Sequence, residues 1–494
     1  MHDPAPSTPP SLPGWLSAAA ILLVAAGLAF LAPRISPYAG GADSSGYLNS
    51  ARLLGRAKAM VTPRLLPGHG AREFGDMVFQ PLGFHLEGDG RQMVPTYPIG
   101  LPLHLLVAAR IAGWHNAAVA VNLLAFTACG ILMWMIARHL GLPRVGAAGA
   151  VVLLWLCPLF LFATLQPMSD LLAVAWSLAV VYCALRAREH WGWAVACGAA
   201  LGMVVLVRPT NALLAVPVAV ALGTQIRAYL LVGLGSLPGA GAFAAYNWRV
   251  YGSPIITGYG DVSQVFGGEF LPHNLAHFAR WIPLLLSPLI VVALLAPFLP
   301  VFRRRGYAVL ATWFVLLTGF YAFYFHSGET WWYLRFILPV FPVLILAALT
   351  VLIAIGTAAG WRATTATALT ACLVVVAGTW EIVQTRRLAV LPFEQQERSY
   401  PDAAHWAQKN LPAKSAIFCM QVSGAFYYYT DFLLVRWDEV DADKSAALFA
   451  ALAARDQPVY AALFPFESAE ALKISGHWTQ VATVGQVTFW QRQP

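Results

Sequence analysis

The sequence has few charged residues: only 11% of its 494 residues are Asp, Glu, Lys or Arg, whereas 59% are hydrophobic. A soluble globular domain has about 25% charged residues and about 45–50% apolar ones. A chain with this balance cannot bury its apolar surface inside a soluble particle, so lipid must surround most of it. The composition excludes an ordinary soluble enzyme and predicts an integral membrane protein.

Other signatures are also missing. Cys419 is the one cysteine of the polar C-terminal tail, so the tail has no internal disulfide, and no CxxC metal site occurs in the chain. The tail has no GxGxxG, Walker loop or catalytic-triad spacing. The net charge of +8 comes from arginines scattered between apolar segments, which is typical of membrane spans rather than of a nucleic-acid-binding surface. Residues 1–13 contain no Lys or Arg and predict a disordered leader instead of a cleaved signal peptide.

Apolar runs near the roughly 20 residues that cross a bilayer predict about eleven membrane-spanning helices. Their predicted bounds are 14–33, 115–138, 145–164, 170–186, 192–207, 211–226, 228–246, 281–301, 307–326, 335–356 and 363–382. Paired and clustered arginines, such as Arg303–Arg304–Arg305, occupy alternate short loops. Because such loops stay in the cytoplasm, the N-terminus is predicted inside and the tail outside.

The fold prediction is therefore an all-α polytopic membrane bundle, 14–382, followed by an extracytoplasmic α/β domain, 383–494. In the tail, helices are predicted over 399–410, 444–454 and 468–475. Strands are predicted over 416–420, 432–437, 458–464, 480–483 and 486–490, the last two as a hairpin around Val484-Gly485. This alternation favours a small α/β sheet. The first outer loop, 34–114, is far longer than an ordinary connection, and long loops are usually functional. Within it, Ser44–Met60 predicts an amphipathic helix that holds Arg52 at the lipid headgroups.

Three polar residues near the outer ends of the spans are candidates for chemistry. Asp43 lies at the start of the first-loop helix and is a candidate general base, although it or Ser44 is equally suited to capping that helix. Asp170 opens the fourth span, where capping is the simpler interpretation. Arg208 lies where two apolar segments meet, and snorkelling to headgroups explains it equally well.

The late outer loop, 326–336, combines a histidine, a carboxylate, aromatic residues and an arginine in one short segment. Arg335 has the donor geometry that suits a phosphate. Trp331, Trp332 and Tyr333 suit either an interfacial aromatic belt or a sugar-stacking platform, and the belt is the simpler alternative. His273 and His277 have no third ligand nearby, so surface histidines are expected there instead of a metal site.

Five short motifs lie at the outer ends of the predicted spans. They are Asp43-Ser44-x-x-Tyr47-x-x-x-Ala51, Tyr97-Pro98-x-Gly100-x-Pro102, Pro167-x-Ser169-Asp170, Tyr246-Asn247-x-x-x-Tyr251-Gly252-Ser253-Pro254 and Tyr333-Leu334-Arg335-Phe336-x-Leu338-Pro339-x-Phe341-Pro342. In their order and placement the chain resembles the C-type (GT-C) membrane glycosyltransferases that use polyprenyl-phosphate sugars, in the branch of protein O-mannosyltransferases and lipid A aminoarabinose transferases. The resemblance covers all the predicted spans, and a distal α/β domain also occurs in such relatives.

The resemblance implies a hexosyl- or pentosyltransferase of the bacterial inner membrane that inverts the anomeric centre, with Asp43 as catalytic base. Arg335 and Arg208 would bind the donor phosphate. The other substrate-binding candidates are Tyr47, Tyr97, Asp170, Asn247, His326, Glu329 and Tyr333. No metal or cofactor is expected, and the expected partners are a polyprenyl-phospho-sugar and a glycan, lipid or protein acceptor.

Two features bear on the acceptor and on the alternatives. Many relatives have two adjacent acids in the first loop, whereas Ser44 follows Asp43 here, and no large insertion lies between spans. A glycan or lipid-linked glycan is therefore favoured over a protein as acceptor. The alternatives are a secondary transporter or lipid flippase, or a non-catalytic subunit of envelope-glycan assembly; the chain has no internal repeat of the kind transporters carry.

Overall fold

The structure, a computed structural model, describes residues 14–260, 262–474 and 476–493. The predicted leader 1–13 lies outside these residues. The described chain has a helical part and a C-terminal part with a mixed sheet. The helices of the first part are α1 Gly14–Leu31, α2 Ala42–Gly55, α3 Gly100–Ala112, α4 Trp114–His139, α5 Arg144–Leu156, α6 Pro158–Thr164, α7 Ser169–Arg186, α8 Trp191–Val207, α9 Ala215–Leu222, α10 Ile226–Tyr251, α11 Leu271–Leu286, α12 Arg305–Ala322, α13 Phe341–Ala358 and α14 Ala363–Arg387.

Five helices among the described residues are long and apolar enough to cross a membrane, or seven if each of two bent pairs is one span. The five are α4, α7, α10, α13 with the short turn before it, and α14. Each predicted span overlaps at least one observed helix. The exact number of spans stays a prediction. Several of the remaining segments, among them α8, are apolar helices shorter than 18 residues.

Proline breaks two of the predicted spans. The predicted span 145–164 consists of α5 and α6, which meet at an angle of 62° because Pro158 lacks the N–H that would continue α5. The prediction of one continuous helix over 281–301 is wrong. There α11 ends at Leu286, Ser287 takes a φ of 69°, and the 3-10 segment Pro288–Phe298 leaves at 112°.

Small residues bring α8 and α10 into close contact. Gly198 and Gly202 on α8, and Gly235 and Gly239 on α10, have the four-residue spacing that lets membrane helices approach at backbone distance. A Cβ atom at Gly198 would lie 2.0 Å from the carbonyl oxygen of Val232, so no larger residue fits there. This packing fixes the end of α8, where the chain continues into Arg208.

The C-terminal part contains a five-stranded sheet. Its elements are α15 Phe393–Glu397, α16 Ser399–Asn410, α17 Ser423–Tyr429, α18 Ser445–Ala453, α19 Pro465–Ala471, β3 Ala416–Phe418, β4 Leu433–Val435, β5 Val459–Leu463, β6 Trp478–Val484 and β7 Val487–Arg492. The order is β4-β3-β5-β7-β6, with β3, β4 and β5 parallel and β6 and β7 antiparallel to their neighbours. Every predicted strand and helix of the tail coincides with an observed one to within a few residues, including the hairpin around Val484-Gly485. Helices α15 and α17 were not predicted.

The long first loop packs against this sheet. It contains α2 and a short hairpin of β1 Phe84–Leu86 and β2 Met93–Pro95. Leu66, Phe74, Val78 and Phe79 of the loop belong to the same buried cluster as the sheet residues. Backbone hydrogen bonds join the two parts, for example from the N–H of Arg436 to the carbonyl of Val78 at 2.7 Å.

The amphipathic helix of the loop differs from its prediction. Helix α2 spans Ala42–Gly55 instead of Ser44–Met60, since Ala57 takes a positive φ of 57° and ends it. Nor does Arg52 reach for headgroups: its guanidinium donates to the carbonyl of Tyr428 at 2.8 Å and lies over the ring of that residue. Helix α2 is therefore held by the C-terminal part.

Candidate active site

Asp43 lies in the first turn of α2, two residues after Gly41. No side chain caps this helix, so the capping role considered for Asp43 and Ser44 is wrong. Instead, Oδ2 of Asp43 lies 2.8 Å from a guanidinium nitrogen of Arg335, in the 3-10 segment ahead of α13. The two side chains are 28% and 16% exposed, so the pair is only partly open to solvent. The structure thus brings together the predicted base and the predicted phosphate-binding residue.

The surroundings of Asp43 keep its carboxyl ionised. Burial alone favours the neutral acid, but the charge of Arg335 and hydrogen bonds from Tyr97 and Arg335 outweigh it and lower the pKa of Asp43. Burial and the nearby carboxylate raise the pKa of Tyr97, so its hydroxyl stays protonated and donates to Asp43. An ionised carboxylate is the form that a general base needs at neutral pH.

A second ion pair lies beside the first. Asp170, in the first turn of α7, contacts Arg208, which follows the last residue of α8. Their side chains are 2% and 12% exposed. Arg208 also donates to the backbone carbonyl of Arg335 at 3.3 Å, which links the two pairs. Neither capping by Asp170 nor snorkelling by Arg208 describes the structure, because the two side chains face each other inside the protein.

Two tyrosines connect these pairs to the first loop. The hydroxyl of Tyr47 donates to Oγ of Ser169, the residue before Asp170, at 2.9 Å. The rings of Tyr47 and Tyr97 lie against each other with their centroids 4.7 Å apart. Tyr97 in turn donates to Asp43. The two tyrosines therefore connect α2 with α7 beside the ion pairs.

The late outer loop supplies aromatic rings beside Arg335. The rings of His326, Tyr333 and Phe336 form a continuous stack, with centroid distances of 5.7 and 5.8 Å. Nδ1 of His326 lies 2.8 Å from Oε1 of Glu329, and both side chains are about one-third exposed. The guanidinium carbon of Arg335 lies 5.4 Å from the ring centroid of Tyr333. His326, Glu329 and Tyr333 therefore form one group at the edge of the ion pairs.

Asn247 lies apart from the ion pairs. It lines a small recess with Pro98, Tyr246 and Tyr251, and its amide nitrogen has no hydrogen-bond partner among the residues that the structure describes. Within the same described ranges, no group of three His, Cys, Asp or Glu residues suits a metal.

The two histidines of α11 bind backbone instead of each other. His273 and His277 contact the carbonyls of Gly328 and Thr330 through Nε2, at 3.0 and 3.1 Å. These bonds attach α11 to the late outer loop.

Two residues next to the site, Thr210 and Tyr321, were not predicted from the sequence. The hydroxyl of Tyr321 lies 2.8 Å from Oγ1 of Thr210, and its ring stacks on Phe336 with centroids 5.3 Å apart. Thr210 was within reach of inference, since it follows Arg208 by two residues. Tyr321 lies within an apolar run and resembles an interfacial aromatic residue, so no local signal marks it.

The buried pair gives a stability prediction. Asp170→Ala leaves the guanidinium of Arg208 buried without a carboxylate, and breaking such a pair costs roughly 3–5 kcal/mol of unfolding free energy. We expect a clear fall in the thermal midpoint of the purified protein, measured by tryptophan fluorescence. The control is Glu470→Ala, which breaks an exposed surface pair with Lys473 and should leave the midpoint unchanged. Equal midpoints for Asp170→Ala and wild type would mean that the pair is not formed.

The whole chain is similar to several solved structures. ArnT from Cupriavidus metallidurans in the apo state matches with a TM-score of 0.64 and 17% identity, covering 96% of this chain and 98% of that one. The structure of the same protein bound to undecaprenyl phosphate matches with a TM-score of 0.58, 16% identity and coverage of 97% and 98%. The archaeal oligosaccharyltransferase AglB from Archaeoglobus fulgidus, in complex with an inhibitory peptide and a dolichol-phosphate, matches with a TM-score of 0.56, 12% identity and coverage of 96% and 74%.

The chain has the GT-C fold. Arabinofuranosyltransferase AftD from Mycobacteria also matches, with a TM-score of 0.54, 13% identity and coverage of 98% of this chain and 42% of that one. No family model and no curated sequence matches the chain. The predicted resemblance to GT-C glycosyltransferases is confirmed for the fold, and the roles of individual residues depend on the geometry described above.

Proposed function

We propose that this protein transfers a sugar from a polyprenyl-phosphate carrier to a hydroxyl group of an acceptor outside the cytoplasm. The observation that carries the proposal is the contact between Asp43 and Arg335, which places an ionised carboxylate beside a guanidinium at the edge of a membrane-embedded bundle. The similarity of the whole chain to ArnT bound to undecaprenyl phosphate and to AglB with a dolichol-phosphate supports a lipid-linked donor.

In the proposed reaction Asp43 takes the proton from the acceptor hydroxyl as its oxygen attacks the anomeric carbon. A new carbon–oxygen bond forms at that carbon while the bond to the phosphate oxygen breaks, and the polyprenyl phosphate leaves with the bonding electron pair. Attack opposite the leaving group inverts the anomeric centre. The low pKa of Asp43 keeps it ready to accept the proton, which passes to solvent after transfer.

Arg335 is proposed to hold the donor phosphate. One of its terminal nitrogens contacts Asp43, the other lies 3.4 Å from the sulfur of Met168, and Nε has no partner among the described residues. A guanidinium with weakly used donors can turn to phosphate oxygens and stabilise the charge that grows on the leaving group. Arg208, linked to the backbone of Arg335, adds a second positive charge next to it.

The residues around the pairs are proposed to bind the sugar. The His326–Glu329 pair offers a donor and an acceptor to sugar hydroxyls, and Tyr333, whose ring lies between those of His326 and Phe336, offers its hydroxyl group. Tyr47, Tyr97 and Asp170 lie beside the ion pairs, whereas Asn247 lines a separate recess with Pro98 and is proposed only as support for the loop there. With Asp43 as a single base followed by Ser44, a glycan or lipid-linked glycan remains the favoured acceptor.

A binding experiment tests the proposal without knowledge of the sugar. Undecaprenyl phosphate should raise the thermal midpoint of the purified protein, because a ligand that binds only the folded state stabilises it. The control is undecaprenol, which has the same chain without the phosphate and should give little shift. Equal shifts with both lipids would show that the chain alone is bound and would contradict a phosphate site at Arg335.

The proposed orientation places the site and the C-terminal part outside the cytoplasm of a bacterial inner membrane. Single cysteines at Arg304 and at Gln396, both exposed, should respond oppositely to an impermeant thiol reagent added from outside. Labelling at 396 and none at 304 is expected, in a background where the exposed Cys372 is replaced by alanine. Equal labelling would mean that the parity of the spans is wrong.

A further inference from the structure

The segment that leads into Asp43 is held by the C-terminal part. The hydroxyl of Tyr38 donates to Oε1 of Glu394 at 2.9 Å, and the N–H of Ala39 donates to the hydroxyl of Tyr429 at 3.0 Å. These bonds lie immediately before Gly40 and Gly41, after which α2 begins. The position of Asp43 therefore depends on groups from far along the chain.

Glu397, the last residue of α15, reaches directly to the start of α2. Glu397 is 8% exposed, and the backbone N–H of Gly41 lies near enough to its carboxyl to favour the ionised form. Its Oε2 atom has no hydrogen-bond partner among the described residues, and a Cβ atom at Gly40 would lie 1.5 Å from it. Since the φ angle of Gly40 is not in the left-handed region, it is this close approach that requires glycine there.

No cation is needed to explain this carboxyl. The groups that face it are the backbone of Gly40 and Gly41 and, from α16, Tyr400, whose hydroxyl accepts from Gln421 at 2.9 Å. On its own helix, Glu394 is already bonded to Tyr38. Burial raises the pKa of Glu397 to about 7, against the hydrogen bond from Gly41, which lowers it.

We propose that Glu397 is a positioning residue: through the backbone of Gly41 it fixes the first turn of α2 and thereby holds Asp43 against Arg335. The inference rests on the proposed function for its effect on transfer, but the contact itself is independent of the reaction. It assigns the C-terminal part a direct role in the geometry of the site.

Side-chain replacements at position 397 test the role of the carboxyl. Glu397→Ala removes the carboxyl that lies against Gly40 and Gly41, and we expect kcat to fall by about 10- to 100-fold with little change in the KM for the donor, because a small displacement of a catalytic group costs this much. Glu397→Gln keeps an acceptor oxygen and should restore most of kcat. The matched control is Glu470→Gln, the same change at an exposed position of the same part of the chain.

A double variant tests whether the effect passes through the glycine turn. Gly40→Ala forces the Glu397 carboxyl away and should lower kcat about as much as Glu397→Ala. In the Glu397→Ala background the added methyl group has room, so the two changes should not add. Gly88→Ala is the control. Gly88 lies in the same loop, and a Cβ atom there would have no other atom within 4 Å. Additive losses would overturn the proposed route.

The pH dependence of stability gives a readout that simple packing would not give. The unfolded carboxyl ionises near its ordinary pKa of about 4.5 while the buried one stays neutral to about 7, so the folded state loses relative stability as the pH rises through this range. The thermal midpoint should therefore fall less between pH 5 and 8 in Glu397→Gln than in wild type. An equal fall of the thermal midpoint with pH in both proteins would contradict the presence of a buried ionisable group at position 397.

Hydrogen exchange separates failure of this inference from failure of the proposed function. Glu397→Ala should speed amide exchange in residues 41–47 while α18 and α19 stay protected. This result supports the positioning contact even if wild type transfers no sugar, in which case only the proposed function falls. Unchanged exchange in 41–47, or an increase spread over the whole C-terminal part, would overturn the positioning role.

Discussion

Asp43→Asn should lower the rate of sugar transfer by about two to four orders of magnitude, the usual effect of losing a general base. Asparagine has nearly the same shape and keeps an oxygen toward Arg335 and Tyr97, so the fold around the site should persist. It cannot accept the proton of the acceptor hydroxyl at neutral pH. Binding of undecaprenyl phosphate should be retained, because the change leaves Arg335 in place. Transfer would be measured in single turnovers with a labelled prenyl-phospho-sugar.

Asp89→Asn is the matched control for this variant. Asp89 lies in the same first loop, has a 60% exposed side chain and pairs with Arg91 at the surface. Its replacement should leave the transfer rate unchanged. An Asp43→Asn protein that transfers sugar at the wild-type rate would remove the assignment of Asp43 as base.

Arg335→Ala should weaken donor binding as well as turnover. The guanidinium is proposed to hold the phosphate before the reaction and to stabilise the leaving group during it, so both the KM for the donor and kcat should suffer. Loss of a charged, partly buried hydrogen-bonding group in such a position typically costs about 10²- to 10³-fold in rate. Binding is measured by the thermal shift with undecaprenyl phosphate and the rate by the transfer assay.

The control for this variant must remove an arginine without disturbing the site. Arg91→Ala is a suitable control, since the side chain of Arg91 is 86% exposed and pairs with Asp89 at the surface. Arg335→Ala also removes the positive charge beside Asp43. Loss of this charge raises the pKa of Asp43 and makes its carboxylate a stronger base. If the Arg335→Ala variant binds the donor normally but transfers sugar more slowly, Arg335 acts only on the Asp43 carboxylate and does not bind the phosphate.

The sequence predicted the membrane bundle and the positions of most strands and helices of the tail well, because both follow from local patterns. Apolar runs mark the helices, and the alternation of short strands and helices after residue 397 marks the sheet. It did not show that the span at 281–301 turns sharply at Ser287, since a run of apolar residues looks the same whether it is straight or bent. Pro283, Pro288 and Pro297 were the available signals of that break.

The candidate site was predicted in its members but not in its contacts. Motif order selected Asp43, Asp170, Arg208 and Arg335, yet capping and snorkelling explained three of them equally well. Pairing of Asp43 with Arg335 and of Asp170 with Arg208 depends on how α2, α7 and α8 pack, which no local pattern encodes. The contact of Glu397 with the Gly40–Gly41 turn was beyond inference for the same reason.

Photochemical labelling tests most directly whether the Asp43–Arg335 pair is the donor site. An undecaprenyl phosphate analogue with a photoreactive group close to the phosphate would be irradiated with the purified protein, and the labelled peptides identified by mass spectrometry. We expect labelling in the segments around Met168 and Tyr333, which both lie close to the guanidinium of Arg335, and its loss in Arg335→Ala. Labelling that concentrates on other segments, or that persists unchanged in Arg335→Ala, would contradict the proposed site.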